Sequence, residues 1–162
     1  MTISIQIHRG TSNCGTSNRG TSNRGTSTGR IPRSLLIQAV ETIAEDYGWD
    51  DGQISIAIVD DPEIHRVNRQ FLNHDYPTDV ISFDTTESEE FLEGEIVVSI
   101  DTARRVAEEH GWNPNHELLL YIVHGMLHII GLRDKSPKDI RAMREAERFY
   151  MEKLVGDSHV GG

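Results

Sequence analysis

The residues with the clearest chemical potential lie between His124 and Asp134, where the chain reads HGMLHIIGLRD. His124 and His128 are four residues apart, so on a helix their imidazole rings project from the same face, one turn from each other. Gly131 predicts a helix end in a left-handed conformation, after which the chain reverses. The short side chain of Asp134 then brings a carboxylate back to the two rings. Two nitrogens and one oxygen, with a fourth position left for water, are the ligands of a catalytic zinc site.

Pairs of histidines at this spacing are also common on helix surfaces, so the surface alternative has to be weighed. Here the pair lies in residues 118–130, a segment that is apolar nearly all round and therefore predicts a helix in the middle of the core. Two neutral imidazoles there need hydrogen-bond partners, and two cations side by side repel each other. A metal ion removes both problems. We therefore interpret His124, His128 and Asp134 as the ligands of one zinc ion per chain.

The same stretch is similar to the zinc-protease spacing HExxHxxGxxH, with two differences. Gly125 stands where that pattern has its glutamate, and Asp134 stands where it has its third histidine. Because the glutamate is the general base of those proteases, its absence disfavours peptide hydrolysis. No other protein general base is evident in the sequence, and we assign no catalytic residue beyond the metal ligands.

Three motifs, in the right order, resemble those of the YbeY endoribonuclease family. The signature HGxLHxxGxxH is matched by HGMLHIIGLRD, with aspartate in place of the last histidine. A second signature is matched by Asn68, Phe71 and residues 75–83, and a third by residues 94–99. The resemblance covers most of residues 53–135. It implies a metal site, usually zinc, that hydrolyses single-stranded ribosomal RNA in small-subunit maturation and ribosome quality control in the bacterial cytoplasm, with RNA and the ribosome as partners.

Two departures from the family pattern bear on this function. Asp134 replaces the usual third histidine, and it lowers the net charge of the site by one. Leu72 stands where the family typically has an arginine that is thought to meet RNA phosphate. Arg133, next to the proposed ligand, is our candidate for that phosphate contact. The last helix is also basic. We interpret its cations as a solvated face, and the alternative is that they contact RNA: Lys135, Lys138, Arg141, Arg144 and Arg148.

Two acids near these motifs have ordinary interpretations. Glu117 lies two helical turns before His124, so it is either a partner of the metal ligands or a first-turn acid stabilised by the helix dipole, and we favour the second. Glu147 follows Arg144 by three residues. That spacing is typical of an ion pair on an exposed helix face, and we expect it there.

Composition and charge limit the class of protein. The chain has 162 residues, of which 36% are hydrophobic and 26% charged, as in globular domains. No apolar run approaches the roughly 20 residues that span a bilayer. The lone cysteine, Cys14, excludes an intrachain disulfide and fits a reducing compartment, which agrees with the cytoplasm that the family resemblance implies. The net charge of −10 argues against non-specific binding of nucleic acid, although residues 1–40 hold five arginines and no acid.

Residues 10–30 repeat the pattern GTSNR without a large apolar side chain. Such a segment buries too little surface to offset the entropy of ordering it. We interpret it as a loop insertion within one domain that spans residues 1–162, and the alternative is a weak cationic arm for RNA.

The elements that position the motifs follow from periodicity. Alternating apolar residues predict four strands, at 2–7, 53–59, 79–84 and 95–100. Helical spacing predicts five helices, and in the second of them we expect Ile64, Val67 and Phe71 to face inward. The expected fold is a single α+β domain whose metal site lies on the central buried helix and the turn after it. Two other functions remain open: a non-catalytic, ribosome-associated zinc protein, and a metallohydrolase of another substrate.

Overall fold

A computed structural model describes residues 2–10, 30–74 and 78–156. Within them it has four strands and five helices, which confirms the expected α+β architecture. In chain order the elements are β1 (Thr2–Arg9), α1 (Arg33–Asp46), β2 (Asp51–Val59), α2 (Asp61–Leu72), β3 (Val80–Asp84), β4 (Leu92–Ser99), α3 (Ile100–His110), α4 (Pro114–Ile129) and α5 (Pro137–Val155). Most of the predicted loop insertion lies outside the described residues, so that interpretation and the extent of the domain stay predictions.

The four strands form one mixed sheet in the order β1-β2-β4-β3. β1, β2 and β4 run parallel, with Ile5 opposite Ile54 and Ile56 opposite Ile96. β3 is antiparallel to β4 and forms the edge of the sheet. The carboxyl ends of the three parallel strands therefore lie at the same end of the sheet.

Helices cover both faces of this sheet. On one face α1 and α4 pack on the strands, and α5 packs on those two helices, around a large apolar core. On the other face α2 packs on a smaller cluster that includes Ile64, Val67, Ile81 and Val97. The chain thus leaves β1 toward one face and leaves β2 toward the opposite face.

α4 is the most apolar helix, and it lies directly against the sheet. Gly125 makes this possible, because a Cβ atom there would be only 2.9 Å from Cγ2 of Ile96. The first turn begins at Pro114, and the side chain of Asn113 accepts a hydrogen bond from the N–H of Asn115 at 2.7 Å. Across the described residues, the structure contains no helix long and apolar enough to cross a membrane.

The end of α4 sends the chain back toward the helix. Gly131 has a φ of +119°, which favours glycine. The N–H of Leu132 donates to the carbonyl of Leu127 at 2.9 Å, and the N–H of Gly131 donates to that of His128 at 3.0 Å. These two bonds form a Schellman motif, the reversal that the glycine predicted.

One expected core residue is exposed instead. Ile64 and Val67 face inward as expected, but Phe71 is 60% exposed. Its ring meets Phe83 edge-on, with centroids 6.0 Å apart. Phe83 belongs to β3, the edge strand, so within the described residues no further strand lies beyond it to cover the last turn of α2.

Candidate metal centre

α4 holds the two histidines on one face near its carboxyl end. The rings of His124 and His128 are 4.6 Å apart between centroids and inclined by 78°. Their side chains are 19% and 28% exposed, so both are mostly covered by protein. The Nε2 atoms of the two rings face the same carboxylate oxygen, Oδ2 of Asp134, at 3.8 Å and 3.4 Å.

Asp134 reaches this point from the loop that follows the reversal. Its side chain is 43% exposed, so the site is open toward solvent on this side. One ligand atom from each of the three residues lies within 4.8 Å of the other two. Ligands at zinc–ligand distances of about 2.0–2.2 Å lie about 3.4 Å apart in a tetrahedral site. The observed separations therefore suit one ion, provided that Nε2 of His124 and Oδ2 of Asp134 move slightly closer to each other.

The ring of His124 is oriented by an acid from another helix. Nδ1 of His124 lies 2.6 Å from Oε2 of Glu147, whose side chain is 8% exposed. A carboxylate only accepts hydrogen bonds, so a neutral His124 ring donates its one proton through Nδ1. Nε2 is then left with its lone pair, which is the form that binds a metal.

This arrangement fits a metal ion. When the ring is neutral, Nε2 of His124 presents its lone pair toward the carboxylate of Asp134, and a cation between these two acceptors satisfies both of them. Nitrogen, nitrogen and carboxylate oxygen are ligands that zinc accepts, with a position left open.

Sequence comparison identifies the chain's relatives. A sequence model described as Endoribonuclease YbeY matches residues 23–155, which is most of the chain.

The chain belongs to the YbeY endoribonuclease family.

Individual members agree with this match. A protein of Rhodopirellula baltica named Endoribonuclease YbeY is 48% identical over 126 residues, which are 76% of this chain and 64% of that protein. A protein of the same name from Parabacteroides distasonis is 43% identical over 67% of this chain and 75% of its own length. A solution structure from Thermotoga maritima superposes with a TM-score of 0.62 at 25% identity and covers 97% of this chain and 93% of that one. The chain thus spans just under two thirds of the Rhodopirellula protein.

Glu147 is the residue that sequence reasoning placed wrongly. It does pair with Arg144, whose Nη1 lies 2.9 Å from Oε1 and 3.0 Å from Oε2. However, Glu147 is only 6% exposed, not part of a solvated face. It shares the buried stripe of α5 with Met143 and Met151, at helical spacing. An acid inside an apolar stripe was the signal that could have found it.

Glu117 has a different role from that of a metal partner. It lies in the first turn of α4, as favoured, but it is buried and accepts a hydrogen bond from Nε1 of Trp112 at 2.8 Å. Burial and the nearby Glu117 carboxylate raise the pKa of Tyr121 well above its usual value. Glu117 therefore ties the start of α4 to the chain that precedes it.

Leu72 departs from the YbeY pattern at the surface, and Gly125 departs from the zinc-protease pattern in the core. Leu72 is 41% exposed at the end of α2, and Arg133 is exposed beside Asp134. Gly125 faces Ile96 of the sheet, so a glutamate at this position would have to enter the contact between α4 and the sheet. Residue 125 therefore serves packing, and the position offers no room for the base of a zinc protease.

Proposed function

We propose that the chain is a zinc-dependent endoribonuclease that cuts single-stranded ribosomal RNA in small-subunit maturation and ribosome quality control. The observation that carries this proposal is the convergence of His124, His128 and Asp134 on one point. Membership of the YbeY family supports RNA as the substrate, because the relatives are named as endoribonucleases. Its expected place is the cytoplasm, and its expected partner is the ribosome.

The ligands have distinct tasks in this proposal. His124 and His128 supply neutral nitrogens from a rigid, buried helix, and Asp134 supplies charge from the exposed side. A bound zinc ion with an open position acts as a Lewis acid and lowers the pKa of a bound water to about 7. Glu147 keeps the proton of His124 on Nδ1, and Arg144 holds Glu147 in place. We assign no protein general base.

The open side of the site is where an RNA strand would approach. Asp134 is 43% exposed, and Arg133 next to it is exposed as well. A guanidinium group at this place is suited to a phosphate oxygen, because its N–H groups match the geometry of phosphate. Arg133 is therefore the proposed phosphate contact, in the absence of the arginine that Leu72 replaces.

Metal content and RNA cleavage test the proposal together. Purified wild type and Asp134→Ala are analysed for zinc and assayed on single-stranded and double-stranded RNA, with and without chelator. We expect near-stoichiometric zinc in wild type, less in the variant, and chelator-sensitive cleavage of the single strand alone. Wild type without metal, or cleavage that survives complete removal of metal, contradicts the proposal. Zinc without RNA cleavage moves the assignment to the ribosome-associated protein or, after peptide and ester assays, to another substrate.

A further inference from the structure

A cleft of about 420 Å³ lies at the opposite end of α4 from the metal centre. Arg9, Arg30 and Arg104 line it, and none of the described residues that line it is acidic. The first residues of α4 also border it, including Asn115. His124 and His128 follow Asn115 by nine and thirteen residues, and a helix rises by about 1.5 Å per residue. The cleft is thus roughly 14–20 Å from the metal ligands along the helix.

The cleft occupies a position that the topology of the sheet creates. Arg9 ends β1, and Ile58 lies near the end of β2. The cleft is therefore at the carboxyl ends of two neighbouring parallel strands. After these strands the chain turns to opposite faces, with α1 on one and α2 on the other. Such a divergence leaves a crevice at the sheet edge, where α/β proteins bind their ligands.

In the part of the chain that the structure describes, no acid lines the cleft to balance its arginines. Arg9 is half-buried and donates from Nη2 to the carbonyl of Ile31 at 3.1 Å. Burial, and then the nearby cations of Arg30 and Arg33, lower the pKa of Arg9, although a guanidinium stays charged at neutral pH. Among the described residues, the arginines found in ion pairs are Arg66, Arg105 and Arg144. They do not include the arginines at the cleft: Arg9, Arg30, Arg33 and Arg104. Like charges held together raise the free energy of the empty site, and a bound anion relieves that cost.

The acids beyond the cleft already have partners. An adjoining cavity, which shares Gly10 and Arg104 with the cleft, is bordered by Asp60, Glu63 and Asp101. Asp60 accepts from the backbone N–H of Glu63 at 3.0 Å, and Asp101 accepts from that of Asp61 at 2.9 Å. The carboxylate of Glu63 pairs with Arg66 at 2.6 Å.

The helices that border the cleft add to its positive potential. Ile100 is the first residue of α3, and Pro114 is the first residue of α4, and both line the cleft. The dipole of each helix places partial positive charge at this end. Guanidinium groups and helix amino ends both bind phosphate.

We infer that this arginine cleft is a second phosphate-binding site, separate from the metal centre, and that it holds backbone phosphate of the RNA strand. The choice of RNA rests on the proposed function, whereas the choice of phosphate rests only on the cleft. The strand would then be held at one end of α4 and meet the metal centre at the other. Each arginine that contacts a phosphate contributes a salt-dependent term to RNA affinity.

The first test measures RNA binding, not cleavage. The double variant Arg30→Gln/Arg104→Gln removes two exposed cations and keeps the hydrogen bond of Arg9. For single strands the slope of log K against log salt is about −0.7 per phosphate contact. We therefore expect the slope for a single-stranded RNA oligonucleotide to become shallower by about 1.4, with weaker binding at low salt.

A matched control separates the cleft from overall charge. Arg141→Gln/Arg148→Gln removes two exposed cations from α5, so the net charge changes equally. We expect its slope to stay close to that of wild type. If the control loses as much as the cleft variant, the effect comes from net charge or from α5, and the cleft is not the RNA site.

The second test uses inorganic pyrophosphate and needs no RNA. We expect pyrophosphate to raise the Tm of chelator-treated wild type and of the α5 control, but not of Arg30→Gln/Arg104→Gln. Loss of this effect with RNA binding intact supports a phosphate site and overturns RNA as its source. If the cleft variant changes neither the binding of RNA nor the effect of pyrophosphate, the inference is overturned.

These binding measurements test the inference separately from the proposed function. A chain that binds RNA through the cleft but cuts none keeps this inference and loses the proposed function. A chain that cuts RNA, with unchanged RNA and pyrophosphate binding in the cleft variant, does the reverse.

Discussion

The two ends of α4 carry opposite chemistry. At the carboxyl end, imidazole nitrogens and a carboxylate oxygen converge on a point that suits a cation. At the amino end, Arg9, Arg30 and Arg104 surround a cleft that suits an anion. The helix dipole favours this arrangement, because its amino end is partially positive and its carboxyl end partially negative. One buried helix therefore carries a candidate cation site and a candidate anion site, each at the end whose potential favours it.

The two ends also differ in how far apart in the chain their residues lie. The three residues of the candidate metal centre fall within the short stretch from His124 to Asp134. The arginines of the cleft come from the end of β1, from the segment before α1 and from α3. A local site depends on helix geometry and one turn, whereas a dispersed site depends on the packing of the whole sheet.

Removing a proposed ligand is the largest change that this comparison allows. His128→Ala leaves two of the three ligands, and we expect zinc affinity to fall by more than the roughly 10–100-fold that loss of an outer-shell partner costs. RNA cleavage should disappear with the metal. Zinc content by mass spectrometry and a competition titration measure both effects.

His110→Ala is the matched control, because His110 is exposed at the end of α3 and stacks on Trp112, away from the cluster. If the two ends of α4 are independent, His128→Ala keeps the pyrophosphate effect of the cleft. A fully metallated His128→Ala protein would show that these residues are not the zinc site.

The carboxylate behind His124 is expected to have the next largest effect. Glu147→Gln keeps the size of the side chain but removes the charge that holds the proton on Nδ1. We expect zinc affinity to fall by about 10–100-fold, with the fold intact. Glu145→Gln, an exposed acid on the same helix, serves as the control. Equal zinc affinity in both variants would limit Glu147 to a structural role.

The contact between α4 and the sheet sets the position of both ends. In Gly125→Ala, the new Cβ would lie 2.9 Å from Cγ2 of Ile96. Overpacking of this kind costs about 1–3 kcal/mol, and alanine returns about 1 kcal/mol of helix propensity. We expect the free energy of unfolding to fall by about 1 kcal/mol in urea titrations.

A double-mutant cycle identifies the cause of that loss. Ile96→Ala removes the atom that Gly125→Ala would meet, so in this background the glycine replacement should be neutral or stabilising. If Gly125→Ala costs the same in both backgrounds, the clash with Ile96 does not explain it.

A comparably small effect is expected at the contact between α2 and α3. Asp61 accepts hydrogen bonds from Oγ of Ser99 at 2.6 Å, Oγ1 of Thr102 at 2.9 Å and Nη1 of Arg105 at 3.1 Å. Burial raises the pKa of Asp61, but these hydrogen bonds outweigh burial, so the pKa lies below its usual value. The carboxylate thereby fastens the first turn of α3, which carries Arg104, to α2.

A lowered pKa in the folded state sets the sign of the pH dependence. Asp61 stabilises the fold above the unfolded-state pKa of about 3.9, and this contribution is lost as pH falls through the lower folded-state pKa. We expect Asp61→Asn to reduce the free energy of unfolding at pH 7 by about 1 kcal/mol. The difference from wild type should shrink below about pH 4. Asp50→Asn, at an exposed position, should show no such trend.

The sequence by itself determined the features that depend on local geometry. The spacing of His124 and His128 follows from the helical period, and the positive φ of Gly131 explains why Asp134 returns to them. The four strands and five helices followed from their apolar periods in the same way.

Only the tertiary structure decided which distant residues meet. Glu147 lies 23 residues from His124 and contacts it because α5 packs on α4. Phe71 is exposed because α2 ends over an edge strand. Arg9 and Arg104 line the same cleft because β1 and β2 end side by side. Periodicity shows which face of an element is buried, but it does not show what lies against that face. The grouping of the candidate metal ligands was therefore predictable, whereas the acid behind them and the arginine cleft required the packed fold.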